Sequence, residues 1–204
     1  MYDLYFTFDP PSMRLLNKFP QNKKITGTTS HTYTNMKGVV DLFGQAGHLH
    51  ANSKMLQAEI EKLTKREVHY LPNGVDEILF TLKDRNPEDT FQVGYVGKNT
   101  ERKGYQKFVV EACKQAGVTL KSQVCRFNDR KVIKHNSIHN FYNDVDCIIV
   151  ASDMDGTPNQ LLEAASSGRT FIGNAIGNVP EFVNDGVNGF LVEREVQAYV
   201  DKIT

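Results

Sequence analysis

The sequence predicts an α/β protein built as two Rossmann-like parallel-sheet lobes, the first of them reduced. Three observations carry this. Strand-like and helix-like stretches alternate along the chain, which is the pattern of a parallel sheet with helical crossovers. The alternation breaks at Asp84 to Thr90 (DRNPEDT), a polar, proline-bearing stretch without apolar periodicity, and starts afresh at Phe91. Several strand candidates, Asp146 to Ala151 (DCIIVA) above all, are apolar runs of the kind buried on both faces of a sheet. The expected lobes are residues 1–83 and 84–204.

In the first lobe, Tyr2 to Phe8 reads as a strand that Asp9-Pro10-Pro11 ends, and Ser12 to Asn17 suits a short helix. Lys23 to Thr28 is the second strand, which leaves His31 just beyond a strand's carboxyl end. Thr34 to Gly44 fits either helix or loop. Gly47 to Ala51 is a strand. Asn52-Ser53 then caps a helix whose apolar face is Met55, Ile60 and Leu63, and Val68 to Leu71 runs into the turn Pro72-Asn73-Gly74-Val75-Asp76.

The second lobe opens with the strand Phe91 to Val96 and the basic, glycine-bounded loop Gly97 to Gly104. A helix over Tyr105 to Gly117 places Phe108, Val109, Ala112 and Cys113 on one side. A strand lies within Val118 to Phe127, a polar stretch covers Asn128 to Asn136, and Ser137 to Asn143 is a short helix. After the Asp146 strand, Thr157-Pro158 opens a helix, with Thr as cap and Pro at the first helical position, and Gly168 closes it. Arg169 to Gly173 is a strand, Gly173 to Asn178 a glycine-bearing loop, and Val179 starts another helix. Phe190 to Val192 is the last strand and a helix runs from Glu193.

Composition excludes several classes of function. Lys plus Arg and Asp plus Glu are 24 each in 204 residues, so no general attraction to nucleic acid or anionic membrane is expected. No apolar run approaches the roughly 18 residues of a membrane span. Cys113, Cys125 and Cys147 sit in apolar or strand-like contexts without metal-ligand spacing, as reduced core thiols. With no signal-peptide pattern at the N-terminus, a cytoplasmic location is expected.

Glu163 stands out. It lies within Leu161-Leu162-Glu163-Ala164-Ala165, a helix otherwise apolar or small, and a buried carboxylate needs partners. It is either a satisfied core residue or a carboxylate facing a ligand; an ionised carboxylate can accept hydrogen bonds from both hydroxyls of a ribose diol. Asp155, eight residues earlier, is a second acceptor candidate. Lys98 and Lys103 are either a solvated basic loop or a clamp for phosphate at a strand's carboxyl edge, with Gly97 and Gly104 allowing close backbone approach. The helix start at Asn178 and Val179 would complete an anion site. His31 is a loop residue or a ligand contact at the edge where open α/β sheets bind. No His/Cys cluster calls for a metal, and Asp144 and Asp146 are read as residues opening a strand.

Together these residues resemble the retaining glycosyltransferases of the GT-B fold, in the family-four group that uses nucleotide-sugar donors. Asp155-Gly156-Thr157-Pro158 with Leu162-Glu163-Ala164, then Gly177 to Glu181, Asp185 to Gly189, Pro72 to Asp76, and Gly97-Lys98 with Lys103-Gly104 match that family's ordered motifs. The resemblance is good over Tyr70 to Val192 and weaker elsewhere. It implies sugar transfer with retention from a nucleoside-diphosphate donor, UDP- or GDP-linked, to a hydroxyl acceptor, with no metal and no cofactor. It also implies roles. Lys98 and Lys103 would meet the donor diphosphate, Glu163 the ribose, Asp155 and the backbone of Gly156, Thr157 and Pro158 the transferred sugar, and His31 the reacting sugar. Three departures stand out: Asp for Glu at 155, Lys for Arg at 98, and a first lobe of roughly 80 residues. The last keeps two alternatives open: a non-catalytic nucleotide-sugar-binding subunit and a transferase acting on modified DNA bases.

Overall fold

The computed structural model describes residues 4–86, 88–125 and 135–204. The start of the strand expected from Tyr2, the end of the one expected to reach Phe127, Pro87, most of the polar stretch after Phe127 and the Cys125 side chain lie outside the described residues. The chain forms two compact units. One comprises Met1–Asn73 with Met154–Thr157, the other Gly74–Asp153 with Pro158–Thr204.

The first unit holds a parallel sheet in the order β1 (Tyr5–Thr7), β2 (Lys24–Thr28), β3 (His48–Ala51), β4 (His69–Tyr70). A tight 3₁₀ stretch, Pro10–Leu16, replaces the expected short helix, its start fixed by Asp9 accepting from the Ser12 amide at 3.0 Å. The undecided segment before β3 becomes α1 (Val39–Gly44), which buries Val39, Leu42 and Phe43. Ser53 caps α2 (Lys54–Thr64) by accepting from the Leu56 amide at 3.1 Å. The face of α2 differs from expectation. Leu56 and Ile60 are buried, whereas Met55 and Leu63 are exposed, because a spacing of four selects one stripe and Met55 and Leu63 flank it. One face of the sheet thus covers an apolar core of Met13, Val39, Phe43, Leu49, Leu56, Ile60 and Val68. On the other strand residues, Thr7 and Thr26 share a hydrogen bond of 2.7 Å and His50 stacks on Phe6.

The second unit is doubly wound. Its parallel sheet has the order β6 (Thr119–Cys125), β5 (Gln92–Lys98), β7 (Cys147–Val150), β8 (Thr170–Gly173), β9 (Gly189–Leu191). Alternation along β7 divides the core. Ile148 and Val150 join Phe141, Tyr142, Leu161 and Phe171 under α4 (His135–Asn143), α5 (Asn159–Ser166) and α6 (Val179–Phe182). Cys147 and Ile149 join Val93, Phe108, Val109, Ala112 and Tyr199 under α3 (Glu111–Ala116) and α7 (Val196–Ile203). A π-helical stretch, Tyr105–Val110, leads into α3, so the single helix expected there has two windings. Cys113 and Cys147 are free and buried; burial pushes their thiols up, to about 11 and about 12.

The units change over at Asn73/Gly74, ahead of the division expected at 83/84, because residues after Gly74 are tied into the second unit. Ser166 Oγ donates to the Phe80 carbonyl at 2.6 Å, Arg169 reaches the Lys83 carbonyl, and Arg85 Nε pairs with Asp146 at 2.8 Å. Asp146 also accepts from the Gln92 amide at 2.7 Å, and Asp144 pairs with Lys121, so both aspartates hold the start of the sheet. Among the described residues no helix is long and apolar enough to cross a membrane.

Candidate functional site

In the second unit the order β6-β5-β7 means that the chain leaves β5 toward one side and returns on the other. The carboxyl ends of β5 and β7 therefore flank a topological switch point, where open α/β sheets hold ligands. Lys98 is the last residue of β5 and is exposed; Lys103 follows in the loop and is half-buried. Both Gly97 and Lys98, expected in that loop, are strand residues. A methyl group on Gly97 would sit 2.9 Å from the Tyr95 hydroxyl, which itself donates to the Lys98 carbonyl at 2.8 Å. The loop is drawn tight. The amides of Lys103 and Gly104 both donate to the Thr100 carbonyl at 3.1 Å, and Gly104 has φ +67 with its Cβ position 2.5 Å from the Ala151 carbonyl. Only glycine suits that point.

Arg194, which the sequence reading passed over, braces the same loop. Its Nε donates to the Ala151 carbonyl at 2.8 Å and its Nη2 reaches the Glu101 and Arg102 carbonyls, each at 3.3 Å. Its guanidinium lies 4.5 Å from the centre of the Phe108 ring. The Asp153 amide adds a bond to the Arg102 carbonyl at 3.0 Å. Strand end and lysine loop are thereby fastened together across the switch point.

Glu163 is half-buried on α5 and has a partner the sequence reading did not name: the fully buried Tyr142 hydroxyl donates to one of its oxygens. Burial first, and then the facing carboxylate, push the Tyr142 phenol well above its ordinary range. A buried tyrosine requires a hydrogen-bond partner, and this requirement was the available signal. Pro158 occupies the capping position of α5 rather than its first helical turn, and Thr157 does not cap the helix. Its hydroxyl donates instead to the Asn52 carbonyl at 3.3 Å, within the first unit.

At α6 the Val179 amide donates to Ile176 and the Glu181 amide to Asn178, while Pro180 has no N–H. The amides expected to hold an anion there are largely committed. The Asn178 side chain is not: it is fully buried, with no partner for either polar atom among the described residues.

The first unit collects the other predicted residues. Beyond β2, His31 Nδ1 lies 2.5 Å from Glu59 on α2, while Nε2 is closed off from solvent without a partner among the described residues. Asp155, Gly156 and Thr157 belong to this unit. A methyl on Gly156 would fall 2.2 Å from the Thr29 carbonyl and 2.7 Å from Asn52 Oδ1, so backbone lies on backbone here. Asn52 in turn bonds Asn73 at 3.4 Å. The structure thus brings His31, Asp155, Gly156 and Thr157 into one unit and Gly97, Lys98, Lys103, Pro158, Glu163, Asn178 and Val179 into the other.

None of these residues lines either of two cavities found among the described residues of the second unit. One, of about 650 Å³, is polar and surrounds Asp84, Arg85, Gln92, Lys121 and Asp144 at the amino ends of the strands. The other, of about 750 Å³, is a groove between α5, Phe182 and the Gly186 to Phe190 turn. Among the described residues no group of three or more His, Cys, Asp or Glu is placed to hold a metal ion.

Residues 52–204 match the family model described as glycosyl transferases group 1. The lipopolysaccharide 1,2-N-acetylglucosaminetransferase of Salmonella typhimurium is 29% identical over 97 residues, which are 47% of this chain and 24% of that protein. Among solved structures, sucrose-phosphate synthase from Thermosynechococcus elongatus superposes on 99% of this chain with a TM-score of 0.84 at 18% identity. HepE from Anabaena, in complex with UDP and glucose, gives 0.79 at 18% identity, again over 99% of the chain. This likeness establishes the fold, GT-B. The chain spans 63% of the sucrose-phosphate synthase chain, 67% of HepE and 24% of the Salmonella enzyme.

Proposed function

Because the chain belongs to the glycosyl transferases group 1 family, we propose that it moves a sugar from a nucleoside-diphosphate donor to a hydroxyl acceptor, with retention of configuration and without a metal. The observation that carries this reading is the position of Lys98, the final residue of β5 at the switch point of the second sheet, with Lys103 on the braced loop beside it. A diphosphate leaving group develops negative charge as the glycosidic bond breaks. Two ammonium groups carried by the strand end and the braced loop stabilise that charge more in the transition state than in the bound donor. No protein nucleophile enters this scheme. The acceptor hydroxyl attacks on the face from which the diphosphate departs, as in the family-four group that the motifs resemble.

Glu163 binds the donor ribose in this reading. The Tyr142 hydroxyl donates to one of its oxygens, and an ionised carboxylate can accept from the two hydroxyls of a ribose diol. Asp155, with the backbone of Gly156 to Pro158, faces the sugar, and His31 lies near the reacting centre. Asn178 supplies an amide to the donor. HepE was solved with UDP-glucose, which recommends that donor as the first to offer.

The test is donor binding followed by turnover. UDP-glucose, GDP-glucose and the free diphosphates are added to the wild type, Lys98→Ala and Glu163→Ala, and thermal unfolding is followed. A ligand at a hundredfold its Kd raises stability by about 2.7 kcal/mol. One nucleotide series should stabilise the wild type and lose most of that effect in both variants, and sugar transfer or slow donor hydrolysis should follow the same order. Equal stabilisation of all three proteins, or none of any, sinks the donor-site assignment. Binding without transfer or hydrolysis would identify a nucleotide-sugar-binding subunit.

A further inference from the structure

Among the described residues the His31 side chain is held from one side only. Its Nδ1 lies 2.5 Å from a Glu59 carboxylate oxygen, and the Thr34 hydroxyl contacts the other oxygen of the same carboxylate. The Thr34 hydroxyl also reaches back to the His31 carbonyl at 2.8 Å, so the backbone of the loop and the imidazole share one anchor. Ser53 caps the amino end of α2 and Ile60, next to Glu59, is fully buried; the carboxylate is therefore presented from a fixed helix rather than from a loop. At the other end of the ring, Nε2 has neither solvent nor a partner among the described residues. A buried polar atom without a partner is costly, and such atoms in folded proteins mark places where a ligand or water completes the bond.

A carboxylate can only accept. In the neutral ring the proton must then sit on Nδ1, and Nε2 carries the lone pair. An unconstrained neutral imidazole favours the opposite tautomer, with the proton on Nε2. We propose that Glu59 is a positioning residue that fixes His31 in its Nδ1–H form, so that Nε2 is the acceptor for a hydroxyl of the sugar substrate. Glu59 does not touch the sugar. It selects which edge of the ring meets it, and in doing so excludes ligands that offer only an acceptor at that point. The identity of the ligand as a sugar hydroxyl rests on the sugar-transfer reading above; the tautomer does not.

The experiment therefore has two arms. In the first, histidine is labelled with ¹⁵N in the ligand-free full chain and two-bond proton–nitrogen correlations are recorded across a pH titration that reaches the neutral form. His31→Gln identifies the His31 signals among the six histidines. Wild type should show the Nδ1–H pattern at His31, and Glu59→Ala should show the Nε2–H pattern. Glu59→Gln keeps an acceptor oxygen for Nδ1, and its amide N–H₂ can donate to Thr34, so it should restore the wild-type pattern. An Nε2–H pattern in the wild type overturns the proposal, as do protons on both nitrogens throughout the titration, no change in Glu59→Ala, or a Glu59→Gln spectrum like that of Glu59→Ala. Because Glu59→Gln is close to isosteric, a general failure of folding cannot imitate the expected order.

The second arm is donor turnover. Glu59→Ala should lower kcat by about tenfold, the scale of one hydrogen bond to a reacting substrate, with little change in donor KM, and Glu59→Gln should recover most of it. A loss in KM alone, or no loss, refutes the catalytic consequence. If the wild type turns over no donor at all, the sugar-transfer reading fails while the first arm still decides the tautomer.

Discussion

Replacing Arg194 tests whether the lysine loop is held by a planar fork or by charge alone. The guanidinium makes one short bond, 2.8 Å from Nε to the Ala151 carbonyl, and two long ones to Glu101 and Arg102 at 3.3 Å. A hydrogen bond from a charged donor contributes about 1.5–3 kcal/mol, and the low end applies to a half-exposed residue. The face of the Phe108 ring at 4.5 Å adds about 0.5 kcal/mol. The longer bonds are exposed and add little. Arg194→Ala should therefore destabilise the chain by about 2 kcal/mol, while Arg194→Lys, which keeps a point charge but cannot span three carbonyls, should lose about half as much. The chain has no tryptophan, so urea unfolding is best followed by far-UV circular dichroism. Hydrogen exchange at the Lys103 and Gly104 amides, both bonded to the Thr100 carbonyl, should quicken in parallel. If Arg194→Lys equals the wild type while Arg194→Ala does not, charge and not the fork holds the loop. If both fall within about 0.5 kcal/mol of the wild type, the brace contributes nothing measurable and the reasoning fails.

Two further outcomes follow from buried polar groups. Tyr142→Phe removes the donor to Glu163 from a fully buried site and should cost about 1.5–3 kcal/mol in urea unfolding; a loss below about 0.5 kcal/mol would show that Glu163 is satisfied without it. His50 is 3% exposed, and burial depresses its pKa below 6.5 despite the bond from its ring to the Thr7 carbonyl. A depressed folded pKa means that the unfolded chain takes the proton first. The associated stability is complete above about pH 6.5 and falls below it by at most about 1.4 kcal/mol per pH unit. His50→Gln should remove this acid-side slope, so the wild type's advantage over the variant should shrink as pH drops. An advantage independent of pH would contradict the assignment.

The second unit was legible because its residues speak locally. The apolar run at Cys147 to Val150 can only be a doubly covered strand, and Phe108, Val109, Ala112 and Cys113 could share a face only on a helix. The first unit was harder. Thr7, Thr26 and His50 are buried polar residues on its sheet, so strand and loop look alike in the sequence, and on α2 the neighbouring Met55 and Leu56 compete for one stripe. The site was legible as a set of residue types but not as a set of partners. Glu163 announces that it needs a donor; that the donor is Tyr142, twenty-one positions away, is a product of how α4 and α5 lie on β7. Arg194 and Glu59 gave no local signal, since each acts through a residue distant in the chain. Thr157 misled for the same reason: next to Pro158 it has the form of a helix cap, but its hydroxyl is engaged by Asn52.

The four residues Met154–Thr157 belong to the first unit while the chain on both sides belongs to the second. The polypeptide therefore passes between the units three times, and no single cut yields two self-sufficient halves. A fragment of residues 1–73 lacks the glycine that rests on the Thr29 carbonyl and the threonine bonded to Asn52, whereas a fragment of residues 74–204 carries both as an orphaned loop. Expressed separately and then mixed, the two pieces have a built-in reason to find each other, and the tetrapeptide becomes the natural handle for a split-protein reporter or for grafting one half onto a different partner.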